Sequence, residues 1–397
     1  MGTIKDCNGA VLWSEEKPGG AEVYNLIGDL KVVHTENSIA NRNKEYITNA
    51  DSFKLMKGAD SLEDTALHVN TTLDYELHKA VYDYMKESGV KNGSALFVDV
   101  NTGAVRVAVS LPAADPDISV EEWEKGSLIN KNFSVTIPGS TMKVVTGMLL
   151  TEMDDSILDH YVYCDGEYTI PEVQDSVKCI TQQGTHNLTS ALGVSCNCYY
   201  ADSIVSILNP NAEKVKMRLK ELGIADEDYS KLMEGGKIWH KGSVVSYDGS
   251  NSFESVWSMI GEGMVRISPL DICRITSGIV NGGIAKEPYI VETVTNSEEE
   301  EVESYTGKDS KVTDADTAEK FYSVWKSAYD TYYGSEYSSE ITVAKSGTAE
   351  YDNEKGVSKN LVGYLEEQGL VFFIEIADYE LSNVMPVEVV NYVCEMT

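Results

Sequence analysis

The feature that most restricts this chain is a serine followed three residues later by a lysine, at the start of an apolar helical run. From residue 137 the sequence reads IPGSTMKVVTGMLL, so Ser140 and Lys143 follow directly on a proline and a glycine. Proline is favoured in a first helical turn, because its missing N–H costs nothing there. Residues three apart share a helix face. We therefore predict that the Ser140 hydroxyl and the Lys143 amine lie side by side at a helix N-terminus.

Such a pair can turn a weak alcohol into a nucleophile. A serine hydroxyl becomes reactive when a base within hydrogen-bond reach takes its proton. Backbone N–H groups at a helix start also favour the negative charge that develops on an attacked carbonyl oxygen. Read alone, however, the pair is more typical of an N-cap serine beside a solvated lysine. The choice between these interpretations depends on the residues downstream.

Two further motifs follow in the order that this chemistry needs. Ser195 and Asn197 belong to the tripeptide SCN, and Lys345 begins a KSGT run that follows the strand-like segment ITVA. Each motif alone is also typical of local capping or of a polar turn. The ordered set S-x-x-K, S-x-N and K-[ST]-G is that of penicillin-binding proteins and class A β-lactamases. The chain thus resembles the penicillin-binding protein family, and within it the monofunctional (class B) D,D-transpeptidases.

The resemblance extends over residues 65–397. It includes VNTTLDYELHKA from residue 69, the hairpin ALFVDVNTGAV from residue 95, the GEG, SPL and NGG triplets between residues 261 and 283, and NLVGY from residue 360. It implies an α+β fold, with an antiparallel sheet flanked by helices and an all-helical subdomain. Residues 1–64 are then a small N-terminal pedestal or linker remnant, and residues 65–397 are the transpeptidase domain.

The resemblance also implies a role for each motif residue. Ser140 would attack the carbonyl of a D-Ala-D-Ala bond, and Lys143, as a neutral amine, would act as the general base. Ser195 would relay a proton, and Asn197 would offer its amide to the lysine and to the substrate. Lys345 would add positive potential, which together with burial would lower the pKa of the base lysine.

The remaining motif residues are expected to bind substrate. The hydroxyls of Ser346 and Thr348 would hold the terminal carboxylate, and Gly347 would let the substrate lie against the strand edge. The oxyanion hole would be formed by the backbone N–H groups of Ser140 and Thr348. The implied ligands are D-Ala-D-Ala stem peptides and β-lactam antibiotics, with cell-wall synthesis proteins as further partners. No cofactor is implied.

Three other functions share these motifs. A D,D-carboxypeptidase would pass the acyl group to water, and a β-lactam sensor would need a signalling partner domain. A serine β-lactamase of class A would need a glutamate in an E-x-x-x-N pattern after S-x-N, and no glutamate between Asn197 and Gly283 has an asparagine four residues later. Nucleic acid is an unfavourable partner for all of them, because the formal net charge of −32 repels phosphate.

The location is expected to be extracytoplasmic. No stretch has the eighteen or so apolar residues that a spanning helix requires. The opening GTIKDCNGAVL, from residue 2, resembles the segment that family members carry just outside their membrane anchor. We interpret the chain as an ectodomain whose anchor precedes it; a naturally soluble protein is the alternative.

The seven cysteines leave two questions open. Cys164 and Cys179 flank one loop-like stretch, and a disulfide between them is compatible with an extracytoplasmic protein. Zinc is disfavoured, because the cysteine spacing matches no zinc pattern, and no metal is expected. Cys196, inside the S-x-N motif, is expected to serve packing.

Four local predictions complete the reading. Residues 4–13 form a hairpin, whereas residues 37–46 and 51–64 are polar and irregular. The acidic run SEEEEVE from residue 297 is a solvated loop. Residues 313–333 form an amphipathic helix with Phe321, Trp325, Ala328 and Tyr332 near one face.

Overall fold

A computed structural model describes residues 1–32, 35–48, 67–180, 184–225, 227–350, 356–382 and 384–396. The strands, in chain order, are β1 (Ile4–Lys5), β2 (Val11–Trp13), β3 (His68–Thr71), β4 (Asn92–Asp99), β5 (Val105–Leu111), β6 (Val162–Cys164), β7 (Glu167–Thr169), β8 (Ser176–Lys178), β9 (Gly184–His186), β10 (Ile224–Ala225), β11 (Ser230–Met233), β12 (Ile238–Lys241), β13 (Ser243–Val244), β14 (Ile284–Lys286), β15 (Val291–Thr295), β16 (Glu301–Ser304), β17 (Asp309–Lys311), β18 (Ile341–Glu350), β19 (Val357–Leu365) and β20 (Leu370–Ala377).

The α-helices are α1 (Ala21–Ile27), α2 (Ile39–Arg42), α3 (Lys44–Thr48), α4 (Tyr75–Glu87), α5 (Met142–Met153), α6 (Leu188–Gly193), α7 (Asn197–Ser203), α8 (Ala212–Glu221), α9 (Phe253–Ile260), α10 (Pro269–Val280), α11 (Ala315–Tyr332), α12 (Tyr379–Ser382) and α13 (Pro386–Met396). Within the described ranges, no helix is both long and apolar enough to cross a membrane.

The central sheet has the strand order β18-β19-β20-β4-β5, and every neighbouring pair is antiparallel. Its middle strand, β20, reads LVFFIEIA and is buried along its whole length. A strand that is covered on both faces reads as a nearly continuous apolar run, and this one does. The predicted antiparallel sheet flanked by helices is confirmed.

Strand β4 shows how the sheet separates two hydrophobic cores. Ala95 and Phe97 point into the core formed with α4 and α13. Leu96 and Val98 point into the core that contains α5, α10 and α11. Successive side chains of a strand alternate between its faces, so one apolar strand can serve both cores. The segment between β5 and β18 carries helices α5–α11, and it also contains short two-stranded hairpins.

Helix α11 joins the second core to the strand that carries the KSGT motif. Phe321, Trp325 and Ala328 are buried as predicted, and the Trp325 indole N–H donates to the Ala344 carbonyl of β18 at 3.0 Å. The prediction for Tyr332 was wrong, since its side chain is 41% exposed near the end of the helix. The apolar face ends one turn earlier than the sequence pattern suggests.

A second sheet has the order β16-β15-β3-β1-β2. It combines the N-terminal strands β1–β3 with β15 and β16, which come much later in the sequence. The predicted hairpin of residues 4–13 is confirmed as β1 and β2. Two other predictions were wrong: residues 37–46 are largely helical, in α2 and α3, and the end of the acidic run forms β16. Charged residues suit β16 because it lies at an edge of the sheet. Residues 51–64 lie outside the described residues.

Candidate active site

The turn that carries Ser140, the proposed nucleophile, is built as the sequence predicts. Residues Gly139–Thr141 form a single 3₁₀ turn that leads into α5. The Lys143 Nζ atom lies 3.0 Å from the Ser140 Oγ atom, within hydrogen-bond reach. Lys143 is fully buried, whereas Ser140, three residues earlier on the same helix face, is half-buried. The predicted pairing of the two side chains is therefore confirmed.

The S-x-N motif meets the same lysine from the other side. Lys143 Nζ donates to the Ser195 carbonyl oxygen at 2.8 Å and to Asn197 Oδ1 at 2.6 Å, and it lies 3.1 Å from Ser195 Oγ. The Asn197 amide nitrogen donates to the Lys178 carbonyl at 3.0 Å. Ser195 has a φ of 61°, a left-handed conformation that strains a serine backbone. The lysine thus sits among four oxygen atoms that hold it in one position.

Burial changes the protonation of both motif lysines. Burial lowers the pKa of Lys143 to about 8, although nearby cysteines act in the opposite direction. Burial, followed by the charge of Lys143, lowers the pKa of Lys345 well below its ordinary value. The charge of Lys143 therefore disfavours the ammonium form of Lys345, whereas the shift of Lys143 itself comes from burial. A neutral Lys143 amine, which a general base requires, is accessible near neutral pH.

The KSGT motif lies on β18, at one edge of the central sheet. Lys345 is buried, and its Nζ donates to the Ser346 carbonyl at 2.7 Å. The Ser346 backbone N–H donates to the Tyr333 hydroxyl oxygen at 3.0 Å. The Thr348 hydroxyl oxygen accepts a hydrogen bond from Lys359 Nζ at 3.1 Å. Tyrosine and lysine neighbours thus fix this strand edge beside the nucleophile turn.

Three segments approach the nucleophile so closely that only glycine fits; we call Gly139, Gly261 and Gly347 the glycine seam. A Cβ atom on Gly139, whose φ is +54°, would lie 2.4 Å from the Thr348 carbonyl oxygen. One on Gly347 would lie 2.7 Å from the Pro138 carbonyl oxygen, and one on Gly261 would lie 1.8 Å from that of Gly139. Main chain therefore packs directly on main chain around Ser140.

The structure brings three further residues to the site that the motifs did not assign. Asn360, which is buried, donates its amide to the carbonyls of Ile137 and Pro138 at 2.8 and 3.1 Å and so holds the nucleophile turn. Tyr333 supports Ser346. Burial, and then Glu350, raise the pKa of Glu262 to about 7, while Lys143 opposes this. In the sequence, the GEG and NLVGY segments marked Glu262 and Asn360 without giving them a role, and Tyr333 was only the last residue of the predicted helix 313–333.

None of the four cysteines around the S-x-N motif, Cys164, Cys179, Cys196 and Cys198, is joined to another by a disulfide. The disulfide between Cys164 and Cys179, which the sequence left open, is not formed in this structure. Cys179 instead lies beside Cys196, with the two Sγ atoms 3.9 Å apart. Cys196 caps α7 by accepting a hydrogen bond from the Tyr199 backbone N–H at 3.5 Å.

Comparison with known proteins gives one consistent result. A family model described as the penicillin binding protein transpeptidase domain matches residues 93–383. A curated relative, the peptidoglycan D,D-transpeptidase FtsI homolog of Mesostigma viride, is 24% identical over 60% of this chain and 41% of its own length. The chain thus matches less than half of that relative's length.

Solved structures show the same fold over the whole chain. The crystal structure of PBPA from Mycobacterium tuberculosis superposes with a TM-score of 0.81 at 16% identity, covering 99% of this chain and 98% of that one. The imipenem acyl-enzyme complex of the same M. tuberculosis protein gives a TM-score of 0.78, also at 16% identity, covering 99% and 97%. At such low identity the likeness concerns the fold.

Proposed function

This chain belongs to the penicillin-binding protein transpeptidase family, and from that premise we propose that it is a serine D,D-transpeptidase that cross-links peptidoglycan stem peptides. The observation that carries the proposal is the position of Lys143 Nζ, within 3.1 Å of Ser140 Oγ, Ser195 Oγ and Asn197 Oδ1. A nucleophile, its base and the groups that orient the base are thus assembled before substrate arrives. The imipenem acyl-enzyme complex of the M. tuberculosis relative supports acylation of the serine by β-lactams.

Acylation begins when Ser140 Oγ bonds to the carbonyl carbon of the D-Ala-D-Ala peptide link. The hydroxyl proton passes to the neutral amine of Lys143, and the carbonyl oxygen becomes an oxyanion. The backbone N–H groups of Ser140 and Thr348 bind that oxyanion, and the glycine seam supports this role because it holds the two segments together. The C–N bond then breaks, and the departing D-Ala amine receives its proton through Ser195.

The edge of β18 binds the terminal carboxylate of the stem peptide. Ser346 and Thr348 supply hydroxyl donors, while Gly347, which was expected to make room for the substrate, instead lets β18 pack against the Pro138 carbonyl. Lys345 supplies the positive charge. The two buried lysines compete for protons, and a carboxylate that binds beside Lys345 favours the ammonium form of Lys345 over that of Lys143. That outcome leaves Lys143 neutral when the base is needed.

The amine of a second stem peptide then attacks the acyl-enzyme ester, forms the cross-link and releases Ser140. A D,D-carboxypeptidase would differ only in using water at this step. A β-lactamase would need a base for the deacylating water, and the E-x-x-x-N pattern of class A enzymes is absent between Asn197 and Gly283. We therefore expect a β-lactam adduct on Ser140 to persist.

The decisive experiment is labelling with a fluorescent penicillin. Wild type and the control Ser156→Ala, which changes an exposed serine beyond the nucleophile helix, should label equally. Ser140→Ala should not label, although its far-UV circular dichroism should be unchanged. Labelling of Ser140→Ala would refute the nucleophile assignment. Product analysis with a D-Ala-D-Ala substrate, with and without an acceptor amine, then separates cross-linking from hydrolysis.

We also propose a division and a location for the chain. Residues 1–64 are a pedestal remnant, and residues 65–397 are the transpeptidase domain. The two parts are in contact because β1 of the first pairs with β3 of the second in one sheet. The domain works on the outer face of the cytoplasmic membrane, held by an N-terminal anchor and in contact with other cell-wall synthesis proteins. Pulse proteolysis that releases residues 65–397 as a stable core would support the division; simultaneous loss of both parts would refute it.

A further inference from the structure

Four cysteines from three segments of the chain converge next to the S-x-N motif. Cys164 ends β6, Cys179 follows β8, and Cys196 and Cys198 flank Asn197 at the start of α7. All four are buried, none more than 7% exposed. The Sγ atoms of Cys164, Cys179 and Cys196 all lie within 4.8 Å of one another. We call these four residues the cysteine cluster.

The fourth cysteine, Cys198, follows Cys196 by two residues at the start of α7 and is buried like the other three. Its thiol interacts with those of Cys179, Cys196 and Cys164, and these interactions together with burial raise its pKa. Burial thus opposes ionisation of the thiols in the cluster. A bound cation would remove this opposition, because a coordinating thiol is deprotonated outright.

The spacing of the sulfur atoms fits a tetrahedral metal site. Four sulfur atoms at about 2.3 Å from a zinc ion lie about 3.8 Å from one another. The Cys179 and Cys196 sulfur atoms are 3.9 Å apart. A disulfide would need a separation of about 2.05 Å. The Tyr199 backbone N–H, 3.5 Å from Cys196 Sγ, is a suitable donor to a metal-bound thiolate.

We propose that Cys164, Cys179, Cys196 and Cys198 bind one structural Zn²⁺ ion. All four ligand positions are then filled by thiolates, so the site is closed and has no place for a reacting water. Soft thiolate ligands in a tetrahedral S₄ set select zinc or iron, and zinc is the redox-inert choice. Binding releases the four thiol protons to solvent. Zinc binding does not depend on the transpeptidase reaction, so the site would also exist in an inactive Ser140→Ala protein.

The site would also position the S-x-N motif. Two ligands flank Asn197, whose side chain spans from Lys143 Nζ at 2.6 Å to the Lys178 carbonyl at 3.0 Å. Lys178 immediately precedes the ligand Cys179. The metal would therefore tie Asn197 to the segment that carries its Lys178 acceptor. Asn197 is otherwise held by α7, a helix of only seven residues, and by the short hairpins of residues 162–186.

The test is the metal content of the purified chain, measured by inductively coupled plasma mass spectrometry. We expect about one zinc per wild-type chain, and as much in the control Cys7→Ser, whose cysteine lies outside the cluster. Cys164→Ser and Cys198→Ser should lose most of the metal. When the wild-type protein is denatured in the presence of a chelator, all seven cysteines should react as thiols. Replacing zinc by Co²⁺ should give the intense near-ultraviolet absorption of thiolate ligation, a readout that needs no variant to fold.

Several results would overturn the proposal. The reduced protein could contain no zinc even after Zn²⁺ is supplied, or disulfides could lower the thiol count by two or four. Iron bound in place of zinc would also contradict the proposal. A functional arm tests the positioning role separately and rests on the proposed function. Removing zinc should slow penicillin acylation about tenfold, and adding Zn²⁺ should restore it. Unchanged acylation in zinc-free protein would refute the positioning role but not the zinc site itself.

Discussion

The protonation of Lys143 gives the sharpest test of the mechanism. Its ordinary pKa of 10.5 falls to about 8 on burial. At pH 7 the neutral fraction of an unperturbed lysine is about 0.03%, whereas a pKa of about 8 gives about 10%, a gain of roughly 300-fold. Only the neutral amine can take the Ser140 proton. The acylation rate should therefore rise with pH, about 50-fold between pH 6 and 8, and reach a plateau above about pH 9.

The assay is the second-order rate constant for acylation by a fluorescent penicillin between pH 6 and 9.5. Ser140→Ala provides the background for hydroxide attack on the β-lactam. Lys143→Arg should be inactive over the whole range, because a guanidinium remains charged. A flat profile, or a midpoint near the ordinary lysine value, would refute the assignment of Lys143 as the base.

The neighbouring carboxylate of Glu262 offers a way to move the midpoint of the pH–rate profile. Glu262 raises the pKa of Lys143, although less than burial lowers it. Glu262→Gln removes that negative charge, so the midpoint of the profile should shift to lower pH while the plateau is kept. A shift to higher pH would contradict the electrostatic reasoning.

Three further substitutions test other parts of the site and core. Asn197→Ala removes an acceptor 2.6 Å from Lys143 Nζ, and we expect acylation to slow about 10- to 100-fold, measured by stopped-flow labelling. Gly347→Ala would place a Cβ 2.7 Å from a carbonyl oxygen just ahead of the nucleophile, so acylation should fall about 100-fold with little change in secondary structure by circular dichroism. Glu152→Gln breaks a nearly buried ion pair with Arg218 and should lower the free energy of unfolding by about 2–4 kcal/mol in urea titration; no change would contradict it.

Local spacing was enough to predict the core of the site. The i,i+3 relation placed Ser140 beside Lys143 because a helix has a fixed period, and the hairpins around β1–β2 and β4–β5 followed from turn residues between apolar runs. The meeting of Lys143 with Asn197 could not be predicted from spacing, because helices and loops of unrelated length lie between them. The family resemblance supplied that step.

The errors came from segments whose structure depends on distant contacts. Residues 39–48 are polar and form short helices only because Ile39, Ala40 and Ile47 join the core. Strand β16 is acidic, yet it pairs with β15 and receives a hydrogen bond from the Tyr46 hydroxyl through Glu303 at 2.6 Å. The cysteine cluster was missed because its members are spread over three segments, separated by 15 and 17 residues, in a spacing that matches no zinc pattern. Such arrangements exist only once the chain has folded.

The glycine seam sets a limit on how this domain can evolve under antibiotic selection. Under the proposed function, a β-lactam and the natural stem peptide meet the same main-chain surface around Ser140, and any side chain at Gly139, Gly261 or Gly347 would displace that surface for both. Mutations at these codons would lower drug binding only by sacrificing cell-wall synthesis. We therefore expect resistant alleles to retain all three glycines and to change residues at the rim of the cleft, where drug and peptide differ in shape.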